Sequence, residues 1–240
     1  MSEPVLETER LLLRRPSPAD AEAVRELVSD PVAMAFIGGV HPDSDPSLVV
    51  QRWLERWEEN GCGPFSVLRR CDGRWLGRVG VLVWDRRTWT QGSFSSAAEF
   101  AQPELGWALV REHWGRGYAT EAARAARAWA YRELGPRRLV SLIAPANTRS
   151  AAVAERLGAR PRETVTLFDS GAAVVWEHPP PPPPPAPPPP AGRDALATKT
   201  QPSRHGGCHR DGTVTRGDGR AMRRLARPDR LSQLALEPGR

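Results

Sequence analysis

Several things are scarce in this chain, and each scarcity narrows what it can be. There are three cysteines, Cys62, Cys71 and Cys208. Their spacing is neither paired nor of the metal-binding kind, which argues against a disulfide framework or a metal centre and for a reducing, cytoplasmic compartment. No apolar run is long enough to span a bilayer as a helix, and the N-terminus carries no apolar targeting stretch. A charge surplus is missing from most of the chain. The formal net charge is +6, yet residues 1–178 hold 23 Arg against 23 Asp or Glu. The surplus lies from residue 179 onward, where 11 Lys or Arg face 5 acids and no aromatic residue is present. Interspersed acids and the lack of stacking rings speak against nucleic-acid binding.

What is present divides at Pro179. All nine tryptophans lie before residue 178, so residues 1–178 are expected to form one folded domain. A proline run broken by Ala186 extends to Pro190. Residues 179–190 are therefore expected as a polyproline II linker of about 3.1 Å per residue. Residues 191–240, rich in Gly, Arg and Asp, read as a disordered basic tail. Composition favours a solvated extension over a ligand for an aromatic-grooved module. A reading-frame change near the gene's end stays open as well.

Within residues 1–178, strand and helix patterns alternate. Thr8–Pro16 reads as a first strand. Ser17-Pro18-Ala19-Asp20 signals a helix start, with Ser17 as cap, Pro18 at the first helical position and Asp20 at the positive end. Asp45-Pro46 opens a second helix, in which Val50, Trp53, Leu54 and Trp57 recur on one face until Asn60-Gly61 ends it. Phe65–Arg70 and Trp75–Trp84 are strands around an Asp72-Gly73 turn. Residues 85–102 are polar and turn-rich, longer than a usual hairpin loop. Pro103–Val110 is a fourth strand with Gly106 inside it, a position that marks a bulge or a close backbone approach. Leu139–Ile143 is a short buried strand. Asn147–Ala159 is a helix with a polar start and a glycine stop. Thr164–Phe168 and Ala172–Trp176 form a closing hairpin around Asp169-Ser170-Gly171.

The most informative stretch is Trp114-Gly115-Arg116-Gly117-Tyr118-Ala119-Thr120-Glu121-Ala122, between the fourth strand and an alanine-rich helix reaching Leu134. A helix N-terminus leaves backbone N–H groups without partners, and its dipole favours negative charge. Glycines let a phosphate approach that backbone closely. Strand, glycine loop and helix start together make an anion cradle.

This loop resembles the pyrophosphate-binding segment of the GNAT superfamily of acyl-CoA-dependent N-acetyltransferases, which reads Gln/Arg-x-x-Gly-x-Gly/Ala. Gly117 and Ala119 match its last two positions, and Trp114 departs from it at the first. The longer string WGRGYATEA, and ETERLLLRR near the N-terminus, are similar to the ribosomal-protein-alanine N-acetyltransferase branch. The string NxxSxxVAExLG, from Asn147 to Gly158, resembles the second signature of the family. The resemblance covers roughly residues 6–177 and leaves the tail unexplained.

The resemblance implies a mixed α/β fold: a twisted, mainly antiparallel sheet with helices on both faces. It implies acetyl-CoA as cosubstrate and a primary amine, on a protein N-terminus or a small molecule, as acceptor. It implies cofactor contacts at Gly115, Arg116, Gly117, Tyr118, Ala119 and Thr120 for the phosphates, and at Trp107, Ala108 and Leu109 for the pantetheine arm. Asn147 is expected at that arm and also as a helix cap, with Ser150 near the thiol. Glu104 is the candidate base on the fourth strand, as against a solvated strand-edge carboxylate. Many relatives place a Tyr in the last helix as general acid. Here Ala154 stands at that position, which leaves Ser150, water or an unassisted thiolate. His41 and His113 are the histidines in polar loops, more often solvated than catalytic. A homodimer is compatible with the resemblance, and no membrane partner is expected. The rival reading is a non-catalytic acyl-CoA sensor that signals through its tail.

Overall fold

The computed structural model describes residues 5–40, 45–167 and 171–180. In chain order, strands β1 (Val5–Glu7) and β2 (Leu11–Arg14) precede helices α1 (Ala21–Val28), α2 (Pro31–Met34) and α3 (Pro46–Asn60). Strands β3 (Pro64–Arg69), β4 (Trp75–Asp85) and β5 (Thr90–Gln91) come next, then helix α4 (Phe94–Ala97) and strand β6 (Ala101–Leu109). Helix α5 (Tyr118–Glu133), strand β7 (Leu139–Ile143), helix α6 (Thr148–Arg156) and strands β8 (Arg160–Leu167) and β9 (Gly171–His178) complete the order. The sheet runs β1-β2-β3-β4-β6-β7-β9-β8, with β5 beside β4. Its pairings are antiparallel except β6–β7.

Helices cover both faces because the strand residues alternate. Val79, Val81, Leu105 and Leu109 pack with Ala122, Ala123, Ala126, Trp129 and Ala130 of α5. The small side chains of α5 let that helix lie close to the sheet. On the other face Ala108 and Val110 pack with Val24 and Leu27 of α1 and with Val50 and Trp53 of α3. Trp57 is core as its periodicity predicts. It meets Phe65 and Trp129 at ring centroid distances of 4.8 and 5.5 Å, and its Nε1–H donates to the Pro64 carbonyl at 2.8 Å.

Helix α3 begins and ends where its sequence says. The Asp45 carboxylate accepts from the Ser47 N–H at 2.8 Å, and Gly61 closes the helix at φ 64°. The chain enters α1 where its sequence places the start, with Ser17 at the cap position, Pro18 at the first helical position and Asp20 in the first turn. A 3₁₀ turn, Pro18–Asp20, precedes α1. Asp20 is a buried carboxylate rather than a dipole partner at the surface. It accepts from Arg14 at 2.9 and 2.6 Å, from Ser66 Oγ at 2.7 Å and from the Ser17 N–H at 2.9 Å. Burial would raise its pKa, and these hydrogen bonds together outweigh burial and hold it below the usual value. Residues 85–102, expected as an irregular connection, carry β5, α4 and a 3₁₀ turn over Ala98–Phe100.

The feature that matters for function is the β6–β7 junction. The β4–β6 register is continuous from Gly77↔Leu109 to Asp85↔Ala101, whereas β6 and β7 register only at Glu104↔Val140. From Leu105 onward β6 leaves β7, and the sheet opens as a wedge. The expectation of a bulge at Gly106 is corrected: no shift occurs there in the β4–β6 register, and the register shifts lie in the β3–β4 pair between Val67 and Leu68 and in the β8–β9 pair between Pro161 and Thr164. Ser141 bridges the apex of the wedge. Its Oγ donates to the Leu105 carbonyl at 2.5 Å and lies 2.8 Å from His178 Nε2. The single hydroxyl proton is spent on the carbonyl, so Nε2–H is the donor to Oγ. The other ring nitrogen, Nδ1, is buried without a partner among the described residues. Burial, with Arg127 nearby, pushes the His178 pKa down to about 4.

Cys62 is free and buried, and burial pushes its thiol up to about 12. His41, the turn residues Phe168, Asp169 and Ser170, and the linker and tail from residue 181 lie outside the described residues.

Candidate active site

The loop after β6 makes one 3₁₀ turn, Arg111–His113, then runs through Trp114 to Gly117. Gly115 and Gly117 hold φ of 73° and 80°, the left-handed region that side chains disfavour. Gly117 is the N-cap of α5 and offers no side-chain cap. The N–H groups of Tyr118, Ala119 and Thr120 are therefore left as the unpaired donors of the first helical turn. They open on a cavity of about 1160 Å³, whose wall includes Trp107, Ala108 and Leu109 of the wedge, Gly115, Gly117, Tyr118, Ala119, Thr120, Asn147 and Ser150. Of the expected cofactor residues, Arg116 alone is not on this wall, and its carbonyl accepts from Arg10 Nη1 at 3.1 Å.

Contacts far apart in sequence pin the loop. Trp114 Nε1–H donates to the Leu109 carbonyl at 2.8 Å, and the Arg149 guanidinium lies 4.9 Å from the Trp114 ring centroid. Arg10 stacks 4.7 Å from the Tyr118 ring centroid and forms a 2.6 Å ion pair with Glu121. Thr8 Oγ1 also donates to Glu121 at 2.6 Å. A carboxylate in the first turn of α5 would compete with an incoming anion, and these partners engage it. Partial burial raises its pKa, but the hydrogen bonds from Thr8 and Arg10 bring it below its usual value. Arg10, Arg124, Arg149 and Arg156 line the cavity. Sequence reasoning did not find them, because nothing local sets them apart from the other arginines.

A second cavity, of about 140 Å³, adjoins the first across the wedge. Glu104, Gly106, Arg78, Leu82, Trp84 and Ser141 are on its wall, and Phe36, Ile37, Trp107, Asn147 and Ser150 are common to both cavities. Glu104 is 8% exposed, so it is no solvated edge residue. Its Oε2 accepts from Trp84 Nε1 at 3.1 Å, and it accepts from the Leu142 N–H as well. Burial raises its pKa, and the hydrogen bonds and the charges of Arg78 and Arg56 offset this only in part. Gly106 leaves room for the carboxylate: a Cβ at that position would lie 3.2 Å from Glu104 Oε1.

Asn147 Oδ1 accepts from the Ser150 N–H at 3.1 Å and so caps α6 while facing both cavities. Ala154 is fully buried with Ile143, Ala159 and Trp176. His113 lines only the larger cavity. Burial lowers its pKa, and Nε2 sits 3.0 Å from Glu112 Oε1 without hydrogen-bond geometry. Tyr131 donates its hydroxyl to the His178 carbonyl at 2.7 Å, away from both cavities. Among the described residues no group of three or more His, Cys, Asp or Glu is placed to hold a metal, and no helix is long and apolar enough to cross a membrane.

A sheet parted at its parallel pair, with an uncapped helix N-terminus at the mouth and a buried carboxylate at the apex, is the architecture of an acyltransferase. The chain belongs to the acetyltransferase (GNAT) domain family, whose model matches residues 10–160. An acetyltransferase structure from Agrobacterium tumefaciens strain C58 is 33% identical with a TM-score of 0.61, over 74% of this chain and 95% of that one. The uncharacterized N-acetyltransferase p20 of Bacillus licheniformis is 27% identical over 148 residues, 60% of this chain and 76% of its own length. The fold also matches that of RimL, a ribosomal L7/L12 alpha-N-protein acetyltransferase, in a complex with coenzyme A. There the identity is 15% and the TM-score 0.57, over 73% of this chain and 97% of that one.

Proposed function

We propose that residues 1–178 form a domain that moves an acetyl group from acetyl-CoA directly to a primary amine. The observation that carries this reading is the shared wall. Trp107, Asn147 and Ser150 border both the large cavity below the α5 N-terminus and the small one that holds Glu104. A diphosphate at the first turn of α5 would meet unpaired N–H donors and the helix dipole. The pantetheine arm would run along β6, which past Glu104 is out of register with β7 and is joined to it at Leu105 by the Ser141 hydroxyl. The thioester would then end beside Ser150, within reach of an amine in the small cavity. The coenzyme A complex of RimL supports the choice of cosubstrate.

In the reaction the neutral amine nitrogen attacks the thioester carbonyl. The C–N bond forms, the tetrahedral oxyanion collapses, and the C–S bond breaks to release a thiolate. Glu104 takes the amine proton, directly or through one water. A raised pKa suits it to that task, since a stronger base accepts the proton more readily. Backbone N–H groups of β6 are the candidates to steady the oxyanion. With Ala154 buried where a phenol would be needed, the thiolate takes its proton from Ser150 or water. A buried, desolvated carboxylate beside the place of the thioester favours an enzyme over a silent sensor.

The test is release of free thiol from acetyl-CoA with a panel of amines and peptides, the acetylated product being identified by mass spectrometry. Coenzyme A binding without turnover of any amine would overturn the proposal.

A further inference from the structure

We infer that the acceptor is an amine bearing its own carboxylate close to the reacting nitrogen, and that Arg78 is the group that receives this carboxylate. The inference rests on reading the small cavity as the acceptor site.

The geometry begins with the β4–β6 register. Arg78 pairs with Ala108 and Leu82 with Glu104, so Arg78, Leu82 and Glu104 share one face of the sheet. Arg78 and Glu104 both line the small cavity. Several arginines of the domain are paired with carboxylates, among them Arg14 with Asp20, Arg69 with Asp72 and Arg138 with Glu163. Arg78 has no hydrogen bond and no ion pair within 4.0 Å among the described residues. Its one close partner there is the Trp53 ring, with the centroid 5.9 Å away. A guanidinium half withdrawn from water, its five donors not engaged by the described residues, is free to receive an incoming acceptor. Its pKa is lowered by burial, with Glu104 supporting the charged form.

The charges around the cavity point the same way. Glu104 feels both Arg78 and Arg56. Arg56, on α3, is bonded to Gln91. With Glu104 ionised, the three groups sum to one positive charge. A simple amine arrives as an ammonium ion and adds a second. An amine with a carboxylate arrives neutral overall, and its carboxylate fits the planar guanidinium in a two-point contact. The volume of about 140 Å³ is below the few hundred Å³ of drug-sized sites. The amine and the carboxylate must therefore sit within about one amino-acid residue of each other. A free amino acid satisfies this, and so does a peptide whose first residue is Asp or Glu.

The experiment uses the full chain, acetyl-CoA and matched acceptor pairs. One arm compares amino acids with their methyl esters. The other compares peptides starting with Asp or Glu and the same peptides starting with Asn or Gln. We expect wild-type kcat/KM to favour the carboxylate member of at least one pair by roughly 10- to 100-fold, the usual loss when a site built for a charged partner is left without it. Which arm shows the preference identifies the source of the carboxylate. In Arg78→Met the ratio should fall to near one, and in Arg78→Lys it should stay above one. Coenzyme A affinity, measured by calorimetry, reports that both variants are folded. Equal or better turnover of the neutral members by wild type, or an equal loss on both members in Arg78→Met, overturns this inference and leaves the acetyl-transfer reading intact. Failure of every amine overturns both.

Discussion

At Glu104 a carboxylate is held away from water at the one place where two strands part, and its burial sets its chemistry. Glu104→Gln keeps the shape and the Trp84 contact but removes the proposed base. We expect coenzyme A affinity to stay within about twofold and turnover to fall by roughly 10²-fold or more. The sign of the pH effect is fixed by direction. The base works when ionised, and its pKa is raised above the usual carboxylate value. Wild-type turnover should therefore climb with pH through a limb above the ordinary carboxylate range, and Glu104→Gln should lack that limb. Rates from about pH 5 to 9 with a confirmed acceptor check this, and a mutant with the wild-type profile would remove Glu104 from the mechanism. Glu104 was legible in the sequence because it lies just before a glycine on the strand leading to the loop motif. Arg10, Arg149 and Arg78 were not. Their partners, Glu121, Trp114 and the wall of the small cavity, are brought to them only by folding.

At the scale of elements, local chemistry predicted what local chemistry controls. The Asp45 cap, the Gly61 stop and the Trp53 and Trp57 face of α3 are all found where their residues place them. The parting of β6 from β7 goes with a loss of pairing and not with the bulge expected at Gly106. Pairing between strands distant in sequence has no local signature. The same holds for residues 85–102, where β5 exists only because β4 lies beside it. The glycine loop gives a direct test. Gly117→Glu places a side chain at φ 80° and adds negative charge beside the uncapped first turn of α5. It should weaken coenzyme A binding by at least about tenfold in calorimetry, by strain, bulk and repulsion together. Unchanged affinity in a folded variant would end the cradle assignment.

The Ser141–His178 bridge carries a second element-scale prediction. The folded pKa of His178 is about 4 against an ordinary 6.5. Between these values the unfolded chain binds a proton that the folded chain refuses. The bridge's stabilisation is therefore complete above about pH 6.5 and is lost as pH falls toward 4, at up to about 1.4 kcal/mol per pH unit. Denaturant titrations across this window should show that slope, and His178→Gln should flatten it while lowering stability at neutral pH. An unaltered slope would mean that other groups carry the acid sensitivity.

For the whole molecule, charge balance and tryptophan content separate residues 1–178 from residues 179–240, and the family match at residues 10–160 lies wholly within the first part. A chain ending at Pro180 is expected to keep the wild-type melting temperature within about 2 °C, because a shift of that size corresponds to less than about 1 kcal/mol in a domain of this length. A larger fall, measured by calorimetry, would show that the later residues contribute to the fold. The acceptor was out of reach of the sequence for a related reason. The proposed acceptor cavity has a wall assembled from β4, β6, β7 and the segment after α2, and no single stretch of chain holds it.

The lone register pair between β6 and β7 has a mechanical meaning. Pairing over several residues links the strands from β1 to β6 and again from β7 to β8, and the two plates meet at Glu104↔Val140 with Ser141 as a rivet. Such a sheet bends most easily along that seam. A pantetheine arm lying in the gap would act as a splint, so the same ligand that delivers the acetyl group would also stiffen the joint at which Glu104 must be held still.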